Sequence, residues 1–422
     1  MKKISKVVLL KGDDTNWGHA SEQIALELEK QGFDTYFVDY RNLIDTIAGL
    51  PAFIGRDKVA LITFNFKGID NKLYFQDEDG ESIWRQYDMV FLNILTDHPS
   101  FFNSLLVYDE FRSKIFCIDN KHLEYLKTYY PKKKAYLLSM AGNIRTDFNM
   151  NFLGDEVDPD SVSYGIKYRD YERILDYEYS LKPIYRRQID LAFIGNYVPV
   201  QNLLSRIDFS DDFTTAQMKK IIKLMGSEPE KAFDEILIEY LEDGNEKLEK
   251  TLLRDKVAEL NILNLCLRTM YREKIIRTLA DSDIRVNVYG NDWDMFKCKK
   301  PWNIIRSEGR ISSCEAVKVI QDTKISLNIM PLVKNGFHER VLTAMLQKAV
   351  PLTDHSEMLD ETFVDGENIA FYDIRKIGQI PKVVNDLLDE PAKMQRIADS
   401  GYVIARDMHM WKNRVPDILK HL

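Results

Sequence analysis

The sequence has few of the features that mark metal-binding, secreted or membrane-spanning proteins. Its four cysteines are widely separated and form neither a CxxC pair nor a Cys/His metal-ligand pattern, so buried free thiols are expected. No stretch approaches the roughly 18 apolar residues of a membrane-spanning helix. The opening "MKKISKVVLLKGDD" is expected to form a first strand rather than a signal peptide. These absences predict a cytoplasmic protein without a transmembrane segment.

Excess basic charge and low-complexity tracts are also missing. The chain has 66 acidic and 58 basic residues and a net charge of −8, so a nucleic-acid partner would need a local basic patch. The one tight basic run, at residues 132–134, precedes an apolar run and is typical of a solvated loop before a strand. A hydrophobic fraction of 45% over 422 residues predicts two folded domains. The acidic net charge predicts no nucleic-acid partner.

Apolar runs alternate with amphipathic segments through the first half. The segment "ASEQIALELEKQG" has the spacing of a helix that Gly32 closes. Strands that alternate with helices favour a parallel sheet with right-handed crossovers. The predicted strands are residues 5–10, 33–40, 58–66, 89–95, 114–119 and 134–142.

The second half repeats this pattern around a long insertion. Strands are predicted at residues 189–197, 284–292, 325–332 and 349–354. Residues 200–280, approximately, show helical periodicity with mixed charges, which indicates packed amphipathic helices rather than a membrane or partner surface. The predicted fold class is α/β, with two Rossmann-like doubly wound domains that face each other across a cleft and a helical insertion in the second half.

A helix start near residue 338 is the clearest candidate for a phosphate site. "VKNGFHERVLTAMLQKAVPLTD" places a glycine-containing loop before a short amphipathic helix. The first turn of a helix offers unpaired N–H groups and the positive end of the helix dipole. Gly336 would let the backbone approach a diphosphate, and Arg340 adds a cation.

The same stretch resembles the nucleotide-sugar motif of group 1 glycosyltransferases of the two-Rossmann (GT-B) fold, whose consensus is roughly "EGFGLPVLEAMACGTPVV". Residues 335–337 overlie "EGF", residues 341–342 overlie "VL" and residues 344–345 overlie "AM". The two acidic positions of the family are Asn335 and Thr343 here. These two side chains can hydrogen-bond sugar hydroxyls but carry no charge.

A closer branch matches more of the chain. "HERVLTAMLQKAVPLTDHSEML", "FVDGENIAFYD" and the terminal "IADSGYVIARDMHMWKNRVPDIL" resemble the spore-maturation-protein (CgeB-like) branch. The resemblance continues at "IDLAFIGNY", "VNVYGNDW" and "LTDHPSF", and covers most of the chain outside the helical insertion. It implies an acceptor-side domain at residues 1–185, a nucleotide-sugar-binding domain at 186–405, and a terminal helix at 406–422 that crosses back to the first domain.

The resemblance places the sugar donor in the second domain. It implies that glycines after two strands lie on the phosphate side, that Arg310 and Ile311 lie at the base, and that the segment 338–340 holds the diphosphate and sugar. The implied donor residues are Gly195, Asn196, Gly290, Arg310, Ile311, Asn335, Gly336, Phe337, His338, Glu339, Arg340 and Thr343.

Two first-domain residues are candidates for the catalytic base. His19 begins the first helix, in a "GH" pair that resembles that of inverting GT-B enzymes, and Asp97 follows a predicted strand. The alternatives are a packing role for the His19 ring and a loop-anchoring role for the Asp97 carboxylate. Retaining enzymes of this fold need no such base, so the stereochemistry stays open.

The sequence therefore predicts a bacterial-type hexosyltransferase of cell-surface glycans. It would move a sugar from a nucleoside-diphosphate sugar, with UDP favoured, to a glycan, protein or small-molecule acceptor, with no metal and no further cofactor. Two alternatives are a catalytically inactive nucleotide-sugar-binding scaffold and a nucleotide-sugar epimerase. The sequence makes no prediction of oligomeric state.

Overall fold

The structure is a computed structural model. It describes residues 4–12, 17–70, 74–77, 79–145, 177–178, 180–205, 215–243 and 247–422. The predicted domain boundary at 185 follows a long segment, residues 146–176, that lies outside the described residues.

The first half forms a parallel six-stranded sheet with the order β2-β1-β3-β4-β5-β6. Its strand β3 is buried at all six positions, as expected where helices cover both faces of a sheet. The strands are β1 (Lys6–Lys11), β2 (Asp34–Asp39), β3 (Val59–Phe64), β4 (Met89–Leu95), β5 (Lys114–Cys117) and β6 (Lys134–Leu137). The helices are α1 (Trp17–Lys30), α2 (Leu43–Ile54), α3 (Asn103–Val107) and α4 (Asn120–Tyr129).

A helical insertion follows the first strand of the second sheet, β7 (Ile189–Ile194). Its longest helix buries ten of its twenty residues, which agrees with the predicted packed helices. The described helices are α5 (Val200–Leu204), α6 (Thr215–Ser227), α7 (Phe233–Glu242), α8 (Lys250–Glu259) and α9 (Ile262–Asp281).

The second sheet is also parallel and six-stranded, with the order β12-β11-β10-β7-β8-β9. The remaining strands are β8 (Val286–Tyr289), β9 (Ile304–Arg306), β10 (Thr323–Leu327), β11 (Val350–Asp354) and β12 (Ala370–Tyr372). The remaining helices are α10 (Ser313–Gln321), α11 (Glu339–Leu346), α12 (Glu357–Thr362), α13 (Ile380–Leu388), α14 (Pro391–Met408) and α15 (Trp411–Leu419). The predicted fold class, two doubly wound α/β domains, is confirmed.

In each sheet, the chain places later strands on both sides of the first strand, so the strand order reverses there. β1 lies between β2 and β3, and β7 lies between β8 and β10. Open α/β sheets bind ligands beyond the carboxyl ends of the strands at this kind of switch point. Both halves therefore offer a ligand crevice at the corresponding edge.

The last helix, α15, packs on the first half. The Trp411 indole donates a hydrogen bond from Nε1 to Asn143 Oδ1 at 3.0 Å and meets the Phe64 ring edge to face, with centroids 6.1 Å apart. Arg414 donates from Nε to the Ser139 carbonyl at 2.8 Å. In the described part of the chain, no helix has the length and apolar content to cross a bilayer.

Replacing Gly401 by alanine tests the packing of α14. A Cβ at this position would lie 2.6 Å from the Asn368 carbonyl oxygen, so the backbone must move despite the better helix propensity of alanine. We expect Gly401→Ala to lower the free energy of unfolding by about 1–3 kcal/mol in chemical denaturation. The control is Gly378→Ala, where a Cβ meets no atom within 4 Å and the change should stay within about 0.5 kcal/mol. Equal effects of the two substitutions would contradict this packing.

Candidate functional site

A cavity of about 330 Å³ lies between the two halves, at the carboxyl edges of both sheets. Trp17 and Thr96 line it from the first half, and Tyr289 and Ser326 line it from the second. It contains eleven of the residues that the sequence predicted, namely His19, Asp97, Gly195, Asn196, Gly290, Arg310, Ile311, His338, Glu339, Arg340 and Thr343.

Three predicted donor residues, Asn335, Gly336 and Phe337, do not line this cavity. A Cβ on Gly336 would lie 2.4 Å from the Ile118 carbonyl oxygen, so this glycine allows the backbones of the two halves to approach. The Phe337 ring is buried in the core and meets the His409 ring edge to face at 5.2 Å. In this structure Gly336 approaches the other half of the chain, and its expected approach to a diphosphate stays a prediction.

One buried carboxylate joins the two halves at this point. Asp119 Oδ1 accepts hydrogen bonds from the backbone N–H groups of Lys121 at 2.6 Å and His122 at 3.4 Å, and so caps α4. Asp119 Oδ2 accepts from the backbone N–H groups of Lys334 at 2.8 Å and Asn335 at 2.9 Å. The segment that leads into α11 is therefore fixed to the first half.

The first turn of α11 brings a histidine, a glutamate and an arginine together. Arg340 donates from Nη1 to the Ile194 carbonyl at 2.8 Å and from Nε to His338 Nδ1 at 3.1 Å. Glu339 is 8% exposed, and its Oε2 atom lies 3.4 Å from His338 Nδ1. Burial raises the pKa of the Glu339 carboxyl, but His338 and Arg340 outweigh it and the net pKa is lowered. The site thus holds an ionised carboxylate beside His338.

Two further arginines come from the helical insertion, where no functional residue was predicted. Arg268 and Arg272 lie four residues apart on α9, so they share one helix face. Arg272 lines the cavity and donates to the Asn196 carbonyl oxygen. Burial, followed by the charges of Arg340 and Arg268, lowers the pKa of Arg272 to about 9. The i, i+4 spacing was the sequence signal, but mixed charges are common on amphipathic helices.

Asp97 is ion-paired across the cavity. Its Oδ1 accepts from Arg268 Nη2 at 2.8 Å, and Asn65 Nδ2 lies 3.4 Å from Oδ2. Burial raises the pKa of the Asp97 carboxyl, but Arg268, His122 and His338 together outweigh burial, so the net pKa is lowered. In this state Asp97 is an anchored carboxylate and a weak base.

The other candidate base, His19, is held by the backbone. Its Nε2 atom lies 2.7 Å from the Ile144 carbonyl oxygen. A carbonyl oxygen only accepts hydrogen bonds, so Nε2 carries the proton and donates it. Its Nδ1 atom lies 3.8 Å from Glu22 Oε2. The hydrogen bond to Ile144 gives His19 a packing role. It leaves Nδ1 as the ring nitrogen with a free lone pair.

A buried polar cluster lies behind Asp97. His98 Nε2 is 3.3 Å from Asp234 Oδ1 of α7, and the His98 and His122 rings meet edge to face at 5.0 Å. Burial lowers the pKa of His122 to about 4, against the opposing charge of Asp119. The His98–Asp234 contact thus joins the insertion to the first half.

The arrangement of two facing Rossmann-like domains defines the GT-B class of folds. A sucrose-phosphate synthase from Thermosynechococcus elongatus is similar in structure, with a TM-score of 0.50 and 8% sequence identity over 99% of this chain and 98% of that chain. Anabaena HepE, solved with UDP-glucose, has a TM-score of 0.47 and 8% identity over 99% of this chain and 100% of that chain. At such identities the likeness to the synthase shows the fold alone.

Residues 268–420 match the model of a family described as glycosyl transferase-like. The matched region begins at Arg268 on α9 and includes α11 and the last helix. No curated protein matches the chain. The family match, together with the fold, supports a glycosyltransferase.

The buried histidines make a pH prediction. Unfolded His122 and His409 would take up protons near pH 6.5, whereas burial lowers both pKa values to about 4 in the folded state. The unfolded state therefore binds more protons, and stability should fall as the pH is lowered from 6.5 to 4. Chemical denaturation between pH 7.5 and 4.5 measures this slope. His122→Gln should flatten it, whereas a substitution of the exposed His355 should leave it unchanged; equal slopes for the two variants would contradict the prediction.

Removing the Asp119 carboxylate tests the contact between the halves. Asp119→Ala leaves the buried N–H groups of Lys334 and Asn335 without their acceptor, which should cost about 2–4 kcal/mol in chemical denaturation. The control is Asp373→Ala, which removes a cap from Arg375 N within one helix and should cost about 1 kcal/mol. If Asp119→Ala lowers the free energy of unfolding no more than Asp373→Ala does, the contact of Asp119 with residues 334 and 335 contributes little to stability.

Proposed function

We propose that this protein is a glycosyltransferase that moves a sugar from a nucleoside-diphosphate sugar, with UDP favoured, to an acceptor hydroxyl or amine. The observation that carries the proposal is the pair Arg272 and Arg340, which line a cavity between two Rossmann-like halves, with Arg268 one helical turn from Arg272. Burial lowers the pKa of Arg272 and of Arg340, and the charge of a neighbouring arginine lowers each further. An anion of two or more charges relieves that repulsion, and a diphosphate is such an anion.

The donor would lie in the second half. The first turn of α11 supplies backbone N–H groups and Arg340, and the loops after β7 and β8 supply Gly195 and Gly290. Arg310 and Ile311 lie in the loop before α10, at the part of the cavity assigned to the base. Glu339, which lines the cavity, takes the role of binding sugar hydroxyls that the Asn335 position has in the family.

The reaction needs stabilisation of the leaving group. The bond between C1 of the sugar and the diphosphate oxygen breaks, the acceptor oxygen or nitrogen bonds to C1, and the acceptor proton passes to a base or to the departing phosphate. Arg272 and Arg340 would offset the charge that develops on the diphosphate, which is why we propose a reaction independent of a metal ion.

The acceptor would lie against the first half. Trp17, Thr96 and Asp97 form this wall, and the Trp17 indole stacks on Phe64 with centroids 5.0 Å apart. We propose Asp97 or His19 as the group nearest the acceptor proton, and a glycan, protein or small molecule as the acceptor. The same proposal includes a cytoplasmic location, hexosyl transfer and a cell-surface glycan as the product. It also includes membership of the CgeB-like branch and domain boundaries at residues 185 and 405.

One observation favours an inactive sugar-nucleotide-binding scaffold as a second candidate. Of the two positions that are acidic in the family, Asn335 lies outside the cavity, and the Thr343 hydroxyl already accepts from Asn143 N at 3.0 Å. However, His19, Asp97 and Arg340 line one cavity, which a scaffold does not require. Transfer is therefore the better supported candidate.

The donor site can be tested by replacing one arginine of α9. Arg272→Met should weaken binding of UDP and of the accepted UDP-sugar about 10- to 100-fold in calorimetry, because a charge-assisted hydrogen bond contributes about 1.5–3 kcal/mol. Arg277→Met is the matched control, since Arg277 lies on the same helix and also donates to a backbone carbonyl, at Lys297.

The same titrations with and without EDTA should agree, and sugar transfer should be lost in Arg272→Met in proportion to donor binding. If the wild-type protein binds no nucleoside diphosphate or nucleotide sugar, the proposed function is wrong. Binding of UDP-sugars without transfer to any acceptor would favour the scaffold.

A further inference from the structure

The ion pair between Asp97 and Arg268 connects the two halves across the cavity. Asp97 follows β4 of the first sheet, whereas Arg268 lies on α9 of the insertion, and Nη2 donates to Oδ1 at 2.8 Å. About a third of each side chain remains exposed, 34% for Asp97 and 33% for Arg268. The pair is thus open to a ligand rather than sealed in the core.

Arg268 is subject to opposing forces in this position. The carboxylate of Asp97 attracts it, while its charge lowers the pKa of Arg272 and of Arg340, which means that the three cations repel one another. It also lowers the pKa of His338 in the first turn of α11. Arg268 does not line the cavity itself, but it lies one helical turn from Arg272 and is held by Asp97, and both of these residues line it.

We infer that the Asp97–Arg268 pair is a lock that the donor opens: the diphosphate takes the Arg268 guanidinium, and the Asp97 carboxylate is released toward the acceptor. The inference rests on the proposed function, because it needs a diphosphate at Arg272 and Arg340. A guanidinium binds phosphate oxygens in the same two-pronged geometry as a carboxylate, so the two anions compete for one cation.

Release changes what Asp97 can do. Burial favours the protonated form of this carboxyl, and Arg268 is the main group that opposes burial. Without Arg268 the carboxylate accepts a hydrogen bond or a proton more readily. Asp97 would thus become available to an acceptor only after the donor has bound, which limits loss of the activated sugar to water.

The alternative to a lock is a permanent strap, in which the Asp97–Arg268 pair only holds α9 in place. The lock and the strap predict opposite effects of one substitution. If Asp97 competes with the donor, Asp97→Asn frees Arg268 and UDP should bind more tightly, by about fivefold or more. If the pair only holds α9 in place, the same substitution leaves UDP binding unchanged or weakens it. Arg268→Met should weaken UDP binding about tenfold, as expected for one charge-assisted contact.

The removal of a negative charge near an anion site also strengthens binding through the general field, so a double-mutant cycle is needed. Calorimetry with UDP is carried out on wild type, Asp97→Asn, Arg268→Met and the double variant, with the exposed Asp294→Asn as a control for net charge. The lock predicts tighter binding in Asp97→Asn, no effect of that substitution in the Arg268→Met background, and no effect of Asp294→Asn.

Equal tightening by Asp97→Asn in both backgrounds would mean that only the field acts and would overturn the lock. Unchanged or weaker binding in Asp97→Asn would overturn it in favour of a strap. Both results leave the proposed function intact, because the wild type still binds UDP. Failure of the wild type to bind UDP or any other nucleoside diphosphate would overturn the proposed function and the lock together.

Discussion

The cleft depends on one fully buried carboxylate, that of Asp119, which serves both halves of the chain. Each sheet is complete in itself, so nothing within either sheet fixes the distance between them. One oxygen of Asp119 accepts hydrogen bonds from N–H groups at the start of α4, which have no partner within the helix. The other oxygen accepts from the backbone N–H groups of residues 334 and 335. An ionised group is costly to bury unless its acceptor capacity is used, and here four N–H groups use it.

The approach of the two backbones has a consequence for the donor site. Because Gly336 lies against Ile118, the chain enters α11 at an angle that the first half sets. Arg340 and His338 lie in the first turn of that helix, so their positions depend on the closed arrangement. Asn143 adds a second link, since its backbone N–H donates to Thr343 and its side chain accepts from Trp411 of the last helix. The geometry of the proposed donor site is in this way coupled to the relative position of the halves.

Most of the fold could be predicted from the sequence, because long apolar runs and helical periodicity are local signals. β9 and β12 were missed, since each has only three residues and too little pattern to separate it from a loop. Arg268 and Arg272 were missed for a different reason. Their function depends on where α9 packs against the sheet, and an exposed salt-bridging helix has the same sequence pattern. The sequence analysis assigned Gly336 to a diphosphate, and the close approach of its backbone to Ile118 could not be predicted because it joins segments distant in the sequence.

The two departures from the family motif can now be given a physical meaning. Asn335 accepts at its carbonyl from Asn120 N at 2.8 Å and at its side chain from Asn120 Nδ2 at 3.0 Å, and Thr343 accepts from Asn143 N. Both positions therefore carry contacts between the halves. A carboxylate at Asn335 would lie beside Glu357, which already accepts from the Asn335 amide, so a neutral side chain avoids repulsion there. In the proposed function the contact with sugar hydroxyls is instead assigned to Glu339, one turn further along the chain, which lines the cavity. Asn335 and Thr343 thus both contribute to the contact between the halves.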